Sequence, residues 1–358
     1  MITIIYTYRN RDLRRIENSF NSLKDQTSAN FEVEFVDYGS AFEAAEKARA
    51  LCEKFSFINY TYHYTEHQPW NKSRALNSII KNLENDFCFV ADVDLIFHPE
   101  FIEKVTQLQK PIKSFYFQVG FLTSGVEGTP KNFDIGNYRK STWEATGLSM
   151  FPVNVLKGLR GFDEFYHFWG AEDTDMHVRL RNAGYEVDFY DKEILLLHQW
   201  HPSYRSKERK TLTNDLQIGG VVQLNQQYLS NVKAQKKTQA NLKVWGEPMS
   251  VSQNKVLEEL PVTFCMDNDR KKIDEFLYGQ LPQFLIGNIK IQVKEISSYE
   301  AAKFRLKRVA RRKVPEFYTL KEVNDLILLH LISFYRDYPY IFQVNKEEGI
   351  ITFGIIKQ

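Results

Sequence analysis

Apolar and polar positions in the first hundred residues fall into blocks whose period switches between two and helical spacing. Residues 2–6 form a short, β-rich apolar run, which reads as a buried strand. A polar loop over residues 8–12 follows, and then Leu13, Ile16, Phe20 and Leu23 recur at helical spacing. Residues 31–36 predict a second strand, closed by Asp37-Tyr38-Gly39-Ser40, where Gly39 supplies turn freedom. Residues 41–55 predict a helix and 56–64 a third strand. This β-α-β-α-β order implies a mainly parallel sheet with right-handed crossovers. The next helix opens at Trp70, with Leu76, Ile79, Ile80 and Leu83 toward the sheet, and leads into the apolar run Phe87 to Ala91.

Further strands are predicted over residues 114–121, 185–190 and 193–200, with a helix carrying Met176, Val178 and Leu180 before the last two. Residues 123–138, rich in Gly, Thr, Pro and Asn, make a loop long enough to act as a lid. A polar, helix-like stretch over 203–227 closes this unit. Residues 226–260 read as a linker or surface helix, and 261–358 as a separate α/β or mainly helical module. In that module Thr319 and Glu322 form a capping box that opens a helix through Arg336, apolar on more than one face.

The length, 358 residues, suits two domains or one with an appendage. Hydrophobic content of 43% and charged content of 26% are those of an ordinary globular protein. A net charge of +2 makes no global case for nucleic acid, so a basic partner surface must be local. One such stretch is 303–313, where Lys303, Arg305, Lys307, Arg308, Arg311, Arg312 and Lys313 interleave with apolar residues. A basic amphipathic helix of this kind suits an anionic membrane surface, although a solvated helix face is the plain reading. No nucleic-acid motif accompanies it, and no nucleic-acid partner is expected. Cys52, Cys88 and Cys265 are far apart and form no metal pattern, which suggests a reducing compartment. No apolar span approaches 18 residues. The expected location is cytoplasmic, with peripheral contact at the inner membrane face through 303–313 left open.

The strand ending at Ala91 delivers Asp92 and Asp94 on either side of Val93. Burying two carboxylates there is costly unless something cationic meets them. In open α/β sheets ligands sit at the carboxyl ends of strands, and a divalent cation shared with a substrate's phosphates would neutralise the pair. Two solvated carboxylates in a strand-end turn are the alternative. Lys72 and Arg74 fall in the first turn of a helix, where cations oppose the dipole. They are either solvated charges or they face a phosphate. Glu172, Asp173 and Asp175 would occupy another first turn, where acidic residues are ordinary dipole partners. His198 and His201 close the last strand, and imidazole can complete metal coordination beside carboxylates.

The order of the first strand, Thr7-Tyr8-Arg9-Asn10, Gln26-Thr27, Asp37-Tyr38-Gly39-Ser40, Asn71-Lys72-Ser73-Arg74 and Asp92-Val93-Asp94 resembles the nucleotide-sugar-binding half of family-2 glycosyltransferases of the GT-A fold. Tyr38 stands where a second Asp is usual, so only Asp37 is carried over as a nucleobase contact. The resemblance implies a Rossmann-like, mostly parallel α/β domain over residues 1–225. Residues 1–100 would bind the nucleotide sugar and 101–225 would form the acceptor and catalytic part. Thr7, Tyr8 and Arg9 would line the donor site, with Lys72 and Arg74 near the diphosphate. Asp92, Val93 and Asp94 would hold the ribose and Mn²⁺ or Mg²⁺.

Residues 161–180, with Trp169-Gly170-Ala171-Glu172-Asp173-Thr174-Asp175, resemble the C-terminal segment of β-1,4-galactosyltransferases and chondroitin-type polymerases. Ala171 replaces a Gly. The resemblance implies that Trp169, Gly170, Glu172 and Asp173 line the acceptor site. It makes Asp173 the general base for inverting transfer, with Glu172 as second choice. It also implies a metal-binding His after the acidic motif, His198 first and His201 as the alternate. The expected activity is sugar transfer from a nucleotide sugar, UDP-linked by expectation, to a glycan or lipid-linked hydroxyl. The alternatives are an inactive carbohydrate-binding or scaffold protein, or a nucleotidyltransferase. No Gly-rich phosphate loop follows the first strand, which counts against the last.

Overall fold

The structure, a computed structural model, describes residues 1–124, 133, 138–202, 211–214 and 216–357. The chain forms two compact units. The first contains Met1–Glu66, Asn71–Tyr204 and Val222–Pro248, and the second contains His67–Trp70, Arg205–Val221 and Met249–Gln358.

The first unit opens with β1 (Ile2–Tyr8), α1 (Leu13–Lys24), β2 (Phe31–Asp37), α2 (Phe42–Cys52), β3 (Ile58–Tyr62), α3 (Lys72–Ile80) and β4 (Phe87–Ala91). It continues through β5 (Leu95–Phe97), α4 (Phe101–Leu108), β6 (Lys113–Phe117), β7 (Gly120–Leu122), β8 (Tyr138–Lys140), β9 (Ser149–Pro152) and α5 (Val153–Gly158). Last come α6 (Glu172–Asn182), β10 (Glu186–Tyr190), β11 (Leu196–His198) and α7 (Val221–Ala234). Its main sheet has seven strands in the order β10-β6-β9-β4-β1-β2-β3. All pairs are parallel except those of β9, which runs antiparallel to both β4 and β6. Strand order reverses at β1, which lies between β2 and β4. The crevice beyond the carboxyl ends of β1 and β4 is therefore a topological switch point, the usual place for a ligand in such sheets.

Aromatic packing holds the strands in place. Tyr6 on β1 meets Phe20 of α1 at 5.9 Å and Phe35 of β2 at 6.2 Å between ring centroids. Phe89 on β4 meets Phe101 at 5.0 Å and Phe117 at 5.5 Å, each edge to face. Full burial of each such ring contributes about 1.5–3 kcal/mol. Of the four expected helical residues α1 buries Ile16, Phe20 and Leu23, together with Ser19 and Ser22, and leaves Leu13 half-buried; Asp12 caps that helix by accepting from Arg14 N at 3.0 Å.

The expected strand over 114–121 breaks in two. β6 belongs to the main sheet, whereas β7 joins a smaller sheet of order β5-β11-β7-β8. Gly120 makes the crossing possible, since a Cβ there would lie 2.6 Å from the Tyr138 ring and 2.7 Å from Leu197. The expected strand 193–200 shortens to β11. The lid expected over 123–138 lies outside the described residues except at 123, 124, 133 and 138, and so do residues 203–210 and 215 of the stretch expected to be helical.

The second unit carries a mixed four-stranded sheet of order β12-β13-β15-β14: β12 (Phe264–Asp267), β13 (Gly287–Lys294), β14 (Tyr340–Asn345) and β15 (Ile350–Lys357). It is thus an α/β module. The helix Leu320–His330 opens with Thr319 and Glu322 in a reciprocal capping box, and it buries Val323, Ile327 and Leu328. It continues as a π-helical turn over Leu331–Tyr335 capped by Arg336, so the expected end is reached with a change of pitch. Residues 67–70 belong to this unit, with His67 O accepting from Phe342 N at 2.8 Å and Gln68 Nε2 donating to Tyr340 O at 2.8 Å. Residues expected as a linker are divided between the units: α7 and the stretch to Pro248 pack in the first, and the helix Val251–Glu259 in the second. Among the described residues no helix is long and apolar enough to cross a membrane.

Candidate functional site

The wholly buried β4 ends at Ala91, and Asp92 and Asp94 follow at its carboxyl end. They part company at once. The Asp92 side chain is 42% exposed and sits 3.3 Å from Lys72 Nζ. Asp94 is buried and turned toward β11, whose His198 pairs in register with Leu95.

Both histidines reach Asp94. His198 Nε2 lies 3.5 Å from Asp94 Oδ1, and His201 Nε2 lies 3.2 Å from Oδ2. One ligand atom from each of the three residues falls within 4.8 Å of the others. A hydrogen bond at 2.8 Å joins His201 Nδ1 to Pro202 O, so Nδ1 carries a proton; Nε2 donates to Asp94 when the ring is doubly protonated and can offer a lone pair to an ion when it is neutral. Gln199 braces the strand end: its backbone N and Nε2 donate to Asp94 O at 3.1 and 3.2 Å, and Nε2 also donates to Arg15 O at 2.8 Å. Burial alone would raise the Asp94 pKa, but the His201 hydrogen bond and both imidazoles hold it below the carboxylate range. The hydrogen bond to Asp94 raises the His201 pKa in turn. One carboxylate and two imidazoles fit a divalent transition ion, with nitrogen donors beside an oxygen donor.

Lys72, the first residue of α3, links this strand end to the second acidic motif. Its Nζ is 3.8 Å from Glu172 Oε1 and 3.8 Å from Asp173 Oδ1, in addition to Asp92. Burial favours loss of its proton, but Asp173, Asp92 and Glu172 together push its pKa up and keep it charged. Burial pushes the Asp173 carboxyl well above the usual carboxylate range; Glu172 adds to the rise and Lys72 opposes it. Asp175, two residues on, has a different task. Its carboxylate is wholly buried, accepting from Arg179 Nε at 2.6 Å and from Tyr166 OH at 3.2 Å.

The turn before α6 is built on left-handed backbone. Phe168, Gly170 and Ala171 have φ of 62°, 93° and 78°. Asn225 of α7 ties it down by donating from Nδ2 to Trp169 O at 3.0 Å and Gly170 O at 3.1 Å, and more weakly to His167 O at 3.3 Å. Trp169 is left 41% exposed at the rim.

The other residues expected at the donor have partners of their own within the protein. Arg74 is not beside Lys72: its side chain is buried, with Nε 2.6 Å from Glu164 Oε2. Helical geometry turns it away from its first-turn neighbour. Glu164 also accepts from Asn77 Nδ2 at 2.9 Å and Gly246 N at 2.7 Å. Asp37 is fully buried, and its oxygens accept from Ser40 N at 2.8 Å and Tyr60 OH at 3.0 Å, so that it shapes the turn after β2. Gly39 in that turn has φ 81°. A Cβ there would lie 2.4 Å from Glu66 N. Arg9 donates to Tyr38 O at 2.5 Å and Thr65 O at 2.7 Å. Thr7 pairs in register with Val36, and Tyr8 is buried beside Arg11 O at 3.4 Å.

Sequence reasoning missed Asn225, Glu164 and Gln199. Each is a polar residue whose partners are far away in the chain, so no local pattern marks it. Only the N-cap role of Asn71, which accepts from Arg74 N at 2.8 Å, had a local signal, in its place just before an apolar-periodic stretch.

Residues 3–141 match the family model described as glycosyl transferase family 2. Residues 132–201 match one described as the N-terminal domain of galactosyltransferase. Chondroitin sulfate synthase 3 of Homo sapiens is 26% identical over 147 residues, 37% of this chain; the chain covers only 16% of that protein's length. Among solved structures, GalNAc-T7 with UDP, GalNAc and Mn²⁺ superposes with a TM-score of 0.50 at 10% identity, over 65% of this chain and 48% of that one. The S. aureus TarS 1-349 complex with UDP-GlcNAc gives a TM-score of 0.45 at 14% identity, over 66% of this chain and 69% of its own. The fold is the GT-A fold.

Proposed function

We propose that this chain, which carries family-2 glycosyltransferase sequence over residues 3–141 and a galactosyltransferase-like segment after it, transfers a sugar from a nucleoside diphosphate donor to a hydroxyl of a glycan or lipid-linked acceptor. The observation that carries this reading is Lys72, whose ammonium joins Asp92 at the end of β4 to Glu172 and Asp173 at the start of α6. The donor and acceptor motifs thereby meet across one cation, as direct transfer between two substrates requires.

In this reading Asp173 is the general base and transfer is inverting. The acceptor oxygen bonds to the anomeric carbon as the bond to the diphosphate oxygen breaks, and the acceptor proton passes to Asp173. The raised pKa of Asp173 makes it a stronger base than an ordinary carboxylate. Lys72 opposes that rise and favours the ionised form. Trp169, exposed at the rim, offers an apolar face to the acceptor sugar. Asp94, His198 and His201 would hold Mn²⁺ or Mg²⁺, and the two imidazoles favour Mn²⁺. When bound, such an ion stabilises charge on a leaving diphosphate. Asp92 and Lys72, paired to each other, help to orient the donor.

The test is calorimetric titration of UDP with and without Mn²⁺, on the wild type and Asp94→Ala. UDP and Mn²⁺ are the first probes because the GalNAc-T7 structure holds both. Manganese-dependent binding that disappears in the variant supports the reading. Failure to bind any nucleoside diphosphate under either condition overturns it.

A further inference from the structure

The helix Ser298–Val309 in the second unit has 12 residues and buries none of them. Ser297 caps it, its hydroxyl accepting from Glu300 N at 3.2 Å. The side that touches its own unit is narrow, with the Phe304 ring 5.4 Å from Phe317. At helical pitch Tyr299, Ala302, Leu306 and Val309 fall within about 80° of one another, centred opposite Phe304. Tyr299 is 77% exposed, Leu306 72% and Val309 83%. An amphipathic helix ordinarily turns its apolar stripe toward its own core. Here the stripe faces away.

The charges explain what such a face suits. Lys303 and Arg305 flank the stripe, each about 40° beyond an edge. Arg311, Arg312 and Lys313 follow directly, all exposed. Among the described residues none of these five cations forms an ion pair. A second copy meeting this face across a two-fold axis would set like charges against like. A soluble polyanion would engage the cations and leave the apolar stripe in water. An anionic lipid surface satisfies both, because the stripe enters the acyl boundary while the long cationic stems reach phosphate headgroups. Tyr299 suits the same boundary, with an apolar ring and a polar tip.

We propose that the helix Ser298–Val309, with the cations through Lys313, docks this protein on an anionic lipid surface in the plane of the membrane. The proposal does not depend on the sugar-transfer reading, and its test measures no transfer.

That test is co-sedimentation of the full chain with phosphatidylcholine vesicles, plain or containing about 30% phosphatidylglycerol. The wild type is expected to sediment with the anionic vesicles only and to leave them at high salt. Lys303→Glu with Arg305→Glu, and separately Leu306→Ser with Val309→Ser, are each expected to lower vesicle affinity about tenfold or more. All four positions are exposed, so melting curves like the wild type are expected, and the wild-type comparison of neutral with anionic vesicles needs no variant. Loss in the charge pair alone, with equal retention on dextran sulfate, would assign the face to a soluble polyanion and overturn the proposal. So would absence of vesicle binding, or a dimer that the Leu306/Val309 pair dissolves.

Discussion

Lys72 Nζ and Asp173 Oδ1 stand 3.8 Å apart, although the two residues open different helices a hundred positions apart in the chain. A lysine in the first turn of a helix opposes the dipole. It is kept there because its partners lie across the crevice rather than along its own helix. The same proximity makes Asp173 tunable.

With Asp173 as the proposed general base, which acts only when deprotonated, kcat/KM is expected to fall as pH drops through its pKa. Burial and Glu172 raise that pKa, which brings the fall toward neutral pH. Lys72→Met removes the charge that opposes the rise, so the fall is expected to begin at higher pH and kcat/KM to drop about a hundredfold. Lys72→Arg is expected to retain most of the profile. A pH–rate series on the three proteins checks this, and an unshifted acid limb in Lys72→Met would remove Asp173 as the base.

Either histidine alone leaves Asp94 with a single imidazole. His198→Ala and His201→Ala are each expected to weaken Mn²⁺-dependent UDP binding about 10- to 100-fold by calorimetry. If only one of them matters, the other is a structural neighbour of the site.

The Arg74–Glu164 pair is buried, and Glu164 also accepts from Asn77 Nδ2 and Gly246 N. Glu164→Ala leaves a buried guanidinium uncompensated and is expected to cost about 3–5 kcal/mol in denaturant unfolding. An Arg74 that instead served the donor diphosphate would give a smaller loss of stability and a large loss of UDP affinity.

Asn225 holds the turn that carries Trp169. Asn225→Ala is expected to raise the acceptor KM and leave UDP affinity unchanged, with about 1–3 kcal/mol lost in stability. Asn225→Asp is expected to be worse, because it sets a carboxylate against carbonyl oxygens. Steady-state kinetics with varied acceptor separates the two effects.

His63 is held neutral in the fold: burial lowers its pKa from 6.5 to about 4, and Nε2 lies 2.9 Å from Ser78 Oγ. In the unfolded chain it protonates near 6.5. Between these values the unfolded state binds more protons, so stability falls as pH falls. The contribution is complete above pH 6.5 and gone below about 4. Urea midpoints across that window are expected to drop more steeply in the wild type than in His63→Gln.

Much of the first unit was legible from period alone. β1 through β4 with α1 to α3 follow the switches between strand and helix spacing, and the two acidic motifs stood out as carboxylates at element ends. What stayed hidden depends on partners distant in the chain. Nothing in the short run Ser149–Pro152 says that it runs antiparallel between β4 and β6. Arg74 reads as a solvated charge or one facing a phosphate, and its buried pairing with Glu164 leaves no mark in the local sequence. His198 and His201 could not be ranked by strand phase, because β11 stops at His198 and the following turn brings the second ring to the same carboxylate. The exposed stripe of Ser298–Val309 likewise becomes apparent only once Phe304 is seen to be its inward side.

The smaller sheet has a consequence for how the protein is made. Its strands come from residues 95–97, 120–122, 138–140 and 196–198, so the carboxylate of Asp94 waits for imidazoles that leave the ribosome a hundred residues later. During synthesis the early strands can pair and collapse while the Asp94–His198–His201 cluster is still one-third built. Closing a loop that long is slow compared with local helix formation. If the proposed site binds manganese, a nascent chain stalled before His198 should therefore be compact yet blind to it, and capture of the ion should come late in this unit's assembly rather than at its start.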